Sequence, residues 1–110
     1  SIVPNTINEM LCMSHKGVLR LFPVWPKDKD ARFANLRAWG AFLVSAELKD
    51  GKVQYVDITS EQGRKCTVQN PWPGRGVTVT RIDGKTETAT GQRFNLETKV
   101  NEKLRLVPQP

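Results

Sequence analysis

Eleven carboxylates, one histidine and two thiols are the groups in these 110 residues with acid–base or nucleophilic chemistry to offer. A pair of carboxyl groups roughly 6.5–9.5 Å apart, one with a raised pKa, would suit inverting hydrolysis of an acetal. Glu9, Asp28, Asp30, Glu47, Asp50, Asp57, Glu61, Asp83, Glu87, Glu97 and Glu102 supply many formal pairs, but most fall at turn signals or at outward positions of alternating segments. A solvated face accounts for them better than a catalytic dyad. His15 follows Ser14, which invites a nucleophile–base arrangement. Adjacent residues at a helix end point in different directions, however, and no acid stands near to orient the ring. One histidine with Cys12 and Cys66, far apart and lacking CxxC spacing, does not make a metal site. Two buried reduced thiols are the expected state, with a single disulfide left open by sequence. No catalytic residue, metal or cofactor is therefore assigned.

Aromatic residues carry more. Exposed indole rings stack on sugars, and Trp25 and Trp72 each sit beside prolines, in "VWPK" and "PWPG". The same placement suits a wedge that closes the end of a sheet sandwich or fills a contact between domains. Phe22, Trp25, Trp39 and Trp72 are the candidate sugar or interdomain contacts, with the wedge or interface preferred.

The net charge of +6 and pI near 9.7 raise the question of an anionic partner. The 17 basic residues are scattered, many beside acids or at turns, without a basic block or an aromatic–basic nucleic-acid signature. That pattern describes a solvated surface and argues against nucleic acid. No apolar run approaches the roughly 20 residues of a membrane helix. "SIVPNTINEM" has neither the basic region nor the cleavage site of a secretory signal and does not open on methionine. A processed chain, or one cut from something longer, is the expectation.

The elements that position these residues are mostly strands. Pro4 and the spacing of Ile7, Met10, Leu11 and Ser14 predict a short helix from about Pro4 to His15, stopped by Gly17. Cys12 and Met13 lie off its apolar stripe, which implies protein on both sides and self-association of the isolated chain there. After Gly17 the period becomes two. Phe42, Val44, Ala46 and Leu48 alternate with smaller or polar residues, and Asp50–Gly51 turns the chain into "KVQYVDI". "RKCTVQ", "VTVTRI", "KTETAT", "QRFNLET" and "LRLV" follow, with a second Asp–Gly at Asp83–Gly84. Seven to eight short strands without intervening helices predict a mainly β protein, an antiparallel β-sandwich preceded by one short N-terminal helix. Its expected core is Phe42, Val44, Ala46, Leu48, Val53, Tyr55, Ile58, Val68, Val79, Phe94, Leu96, Leu104 and Leu106.

The order "INEMLCMSHKGVLRLFPVWPKD", then "ANLRAWGAFLVSAELKDGKVQYVDITSEQG", then "CTVQNPW" resembles the C-terminal end of glycoside hydrolase family 95, the inverting α-L-fucosidases and related enzymes. The resemblance runs from about Val3 to Trp72. It implies a β-sandwich packed on an (α/α)6 catalytic barrel that precedes it, in a secreted or periplasmic enzyme. The family's general acid and its asparagine-assisted aspartate belong to the barrel, and no residue here matches either. Trp39 departs from the pattern, standing where many members have an arginine. The implied organisation is residues 1–16 as a helix ending the barrel domain and 17–110 as the C-terminal sandwich. "LFPVWPKDKD" would be the joint between them. The expected function is a non-catalytic bracing module whose partner is the upstream barrel. The alternatives are a carbohydrate-binding module and, further back, a basic nucleic-acid-binding domain.

Overall fold

The computed structural model describes residue 8 and residues 10–110. Ten strands are present among them, in two sheets. The first is four-stranded: β1 (Cys12–Met13), β2 (Val18–Leu21), β6 (Cys66–Gln69) and β9 (Arg93–Leu96), in that order. The second is six-stranded and contains β3 (Ala31–Ala38), β4 (Phe42–Lys49), β5 (Lys52–Ser60), β7 (Val77–Arg81), β8 (Thr86–Ala89) and β10 (Glu102–Pro108). Its order is β3-β4-β5-β10-β7-β8. All neighbours are antiparallel except β2 and β6, which run parallel with Val18 opposite Thr67.

The alternating pattern sets the core. In β4 every second side chain, from Phe42 to Leu48, is buried, and β10 buries Leu104 and Leu106 in the same way. Of the expected core only Tyr55 lies outside. A register irregularity beside Glu47 pairs Glu47 with Tyr55 and Leu48 with Val53, so Val53 and Val56 both face inward and Tyr55 turns out. Asp50 and Gly51, both at positive φ (53° and 76°), close the β4–β5 hairpin in two residues.

Three expectations change. The strand count is ten rather than seven to eight, because the named segments are β4 to β10 and β1, β2 and β3 were not among them. The predicted N-terminal helix from about Pro4 to His15 is not borne out. Residues 1–7 and 9 lie outside the described residues. Asn8, Met10 and Leu11 are helical, but the chain is already extended at Cys12–Met13, where it pairs with β2, and His15–Gly17 is a single 3-10 turn. Pairing with β2 satisfies the backbone of Cys12 and Met13, which stay half-buried, and Leu11 joins the core. Finally, "LFPVWPKDKD" connects β2 of one sheet to β3 of the other, so within the described residues it is a crossover inside the sandwich.

Candidate functional site

The strand directions divide the candidate residues between two ends of the sandwich. The β4–β5 hairpin marks one end. There Phe22, at positive φ (51°), is fully buried, its backbone N–H donates to the Leu11 carbonyl (2.7 Å), and its ring meets Phe33 with 5.5 Å between centroids. Trp72 is also buried. Its indole Nε1–H donates to the Val53 carbonyl (2.7 Å), and its backbone N–H donates to Asn70 Oδ1 (2.8 Å). Asn70 completes the corner: its side-chain amide donates to the Arg75 and Gly91 carbonyls (2.9 and 3.0 Å). Trp25 is half-buried against the core and donates its Nε1–H to the Lys29 carbonyl (2.9 Å). These three aromatic rings pack the end of the sandwich, as "PWPG" and "FPVWP" require of large side chains held beside prolines.

Trp39 stands alone at the other end. It is 74% exposed, beyond the last residue of β3, and its backbone N–H donates to Ser14 Oγ (2.9 Å). It borders an open cleft of about 680 Å³ with Asn8, Met13, His15, Lys16 and Arg37. The Ser14 hydroxyl thus serves as an acceptor for the backbone, and His15 is exposed, so the two make no nucleophile–base couple.

Four carboxylates, Asp57, Glu61, Glu87 and Glu102, are paired with arginines. Glu102, the buried acid, accepts from Arg81 Nη1 and from the Lys99 N–H, both at 3.0 Å. Arg81 also reaches Glu87 (2.5 Å) and the Glu97 carbonyl (2.9 Å). Burial pulls the Arg81 guanidinium down, but its hydrogen bonds to Glu87 and Glu102 outweigh this and hold it above its ordinary value. On the outer face of the large sheet Arg105 grips Asp57 with two 2.7 Å bonds and lies over the Tyr55 ring, 4.6 Å from its centroid. The hydrogen bonds to Asp57 raise the Arg105 pKa despite slight burial. Sequence reasoning missed both clusters, although Arg105 and Asp57 are direct cross-strand partners that a β5–β10 register would have brought together.

A second cleft, about 390 Å³ on that outer face, holds one carboxylate, Asp57. A third, about 460 Å³ beside Trp72, holds none, and among the described residues neither does the cleft at Trp39. The thiols are free, and burial pushes both up to about 12, with the charge of Cys66 adding to the effect on Cys12. That is the reverse of what a nucleophilic or metal-binding thiolate needs. Among the described residues no group of three or more histidine, cysteine or carboxylate side chains is placed to hold a metal ion, and no helix is long and apolar enough to cross a membrane.

The model of the glycoside hydrolase family 95 C-terminal domain matches residues 13–106. The chain belongs to this family. The match spans β2 through most of β10, so both sheets of the C-terminal domain are included, and it starts where β1 joins them. No curated protein matches the chain.

Proposed function

We propose that this C-terminal domain is a non-catalytic module that braces the catalytic barrel of an inverting, α-L-fucosidase-type glycoside hydrolase. The observation that carries the reading, beside the family itself, is the make-up of the three larger clefts among the described residues. None contains two carboxylates, and the one acid present, Asp57, is held by Arg105. Among the described residues these clefts offer no acid–base pair for hydrolysis. Residues 1–16 are read as the end of the barrel domain and 17–110 as the sandwich. The burial of Leu11 and the pairing of β1 with β2 support a close junction between the two, rather than a free linker.

Carbohydrate binding through the tryptophans is less well supported. Trp72 is buried and Trp25 half-buried, with both indole N–H groups already bonded to the backbone. Of the four candidate contacts, Trp39 is the one exposed enough to meet another surface.

The test is enzymatic. The purified 110-residue chain should release no fucose from aryl α-L-fucosides, while an enzyme carrying the barrel should lose thermal stability when this domain is removed. Release of sugar by the chain alone, abolished by replacing one of its own carboxylates, would overturn the reading.

A further inference from the structure

We infer that the end of the sandwich bearing Trp39, Val100 and Ile82 is the docking face, and that its occupant is an acidic surface of the preceding domain of the same polypeptide. The inference rests on the bracing role proposed above and names where that contact is made.

The strand order brings the three residues together. Trp39 follows β3, Val100 precedes β10 and Ile82 follows β7, and all three positions lie at the same end of the six-stranded sheet. From β3 to β7 is four strand spacings, about 19 Å at 4.7–4.9 Å each. Trp39, Ile82 and Val100 are 74%, 68% and 63% exposed. The remaining large apolar side chain exposed to this degree among the described residues, Val24, lies in the β2–β3 crossover toward the hairpin end. Scattered apolar residues need no explanation, but a row of three along one rim does.

The rim is rigid before anything binds. The Glu61 N–H donates to the Ala41 carbonyl (2.9 Å), the Asn101 N–H to the Ser60 carbonyl (2.7 Å), and Arg81 holds the Glu97 carbonyl. Gly63 lies so close to Val100 that an added Cβ would stand 2.9 Å from its backbone nitrogen, so the Val100 loop packs directly on the Gly63 turn. A preformed surface loses little freedom on docking.

Two observations select the occupant. Asn8 lines the same cleft as Trp39, so the segment leading into β1 borders this end, within reach of the preceding domain on the reading above. Charge gives the chemistry of the opposing surface. Lys16, Arg64, Lys65 and Lys99 are exposed at this end, and none makes an ion pair among the described residues; of the carboxylates there Glu61, Glu87 and Glu102 are taken by Arg37 and Arg81 and Asp83 lies beside Lys85, which leaves Glu97 against four cations. An apolar row flanked by unpaired cations fits an apolar patch flanked by carboxylates.

Hydroxyl-radical footprinting of the enzyme carrying both domains, compared with the 110-residue chain, tests this. Trp39 should oxidise severalfold more slowly in the two-domain enzyme, with Trp25 unchanged. Val100→Asp with Ile82→Asp should restore Trp39 oxidation in the two-domain enzyme, leave the urea midpoint of the short chain where it was, and expose the interdomain junction to protease. Equal Trp39 oxidation in both, with protection appearing around Val24 or on the Tyr55 face, would overturn the docking face while leaving the brace intact. Equal oxidation everywhere, with the domains melting independently, would overturn both.

Discussion

Replacing Trp72 distinguishes a structural wedge from a sugar platform, because the two roles place its free energy in different measurements. Trp72→Ala removes a buried indole, which costs roughly 3–5 kcal/mol where the surroundings cannot collapse. It also strips the Val53 carbonyl of its 2.7 Å donor in a site where Val53 itself is buried, adding roughly 1–3 kcal/mol. The total, about 4–8 kcal/mol, is comparable with the roughly 5–15 kcal/mol that holds a domain of this size folded. Trp72→Phe separates the parts: it keeps most of the ring, loses only the donor and should cost about 1–3 kcal/mol. Urea unfolding with linear extrapolation reads both values, with m unchanged if the denatured state is unaffected. A loss below about 1.5 kcal/mol for Trp72→Ala, together with lost binding to a glycan array, would refute the wedge and restore the platform.

Asn70→Asp should be markedly destabilising at pH 7, because a carboxylate would face the Arg75 and Gly91 carbonyls to which the amide now donates. Its folded pKa would be raised, so part of the loss should return as the pH falls, and equal melting temperatures for wild type and variant at pH 7 would contradict the assignment. Cys66 ionises near 12 when folded against 9.0 ordinarily, so its contribution is complete below pH 9 and drains away between 9 and 12 as the unfolded chain alone releases the proton. At pH 10 the loss should be about 1.4 kcal/mol, with Cys12 acting in the same sense, and Cys66→Ala should flatten the alkaline limb of a stability curve. Arg105→Ala, which breaks an exposed pair, should cost about 1 kcal/mol or less in the same urea assay, and a loss several times larger would mean that the outer face is more than a solvated surface.

Much of the sandwich was legible because alternation is a strong signal wherever one face is buried. Twelve of the thirteen expected core residues are inside, and Tyr55 escaped only because the irregularity beside Glu47 shifts the parity of β5. β3 was missed for a related reason. Between Phe33 and Leu36 its pairing with β4 slips, Asn35 takes a left-handed conformation (φ 54°), and Ser45 Oγ accepts the Asn35 N–H, so "ARFANLRA" has no clean period. β1 is two residues long and exists through its partner β2, which no local pattern announces. The spacing of Ile7, Met10, Leu11 and Ser14 misled, because pairing with β2 governs the chain from Cys12. Tryptophan counting found the aromatic residues without telling which were wedges, since burial of Trp72 depends on Val53 and Asn70, 19 and 2 residues away.

The buried polar groups tie together the two ends of the sandwich. Ser60 shares a 2.7 Å hydrogen bond with the Thr98 hydroxyl and accepts the Gly63 N–H, Asn70 makes three hydrogen bonds, and Glu102 binds Arg81 and the Lys99 N–H. Each joins a loop to a strand or one loop to another at the ends of the sandwich, where sheet hydrogen bonds stop and a β domain would otherwise loosen. A catalytic group must keep a lone pair or proton available to substrate; these keep theirs within the protein. Such an arrangement fixes the shape of both ends. One end is then closed by Phe22, Trp25 and Trp72, and the other presents Trp39 on a frame stiff enough to transmit support to whatever it meets.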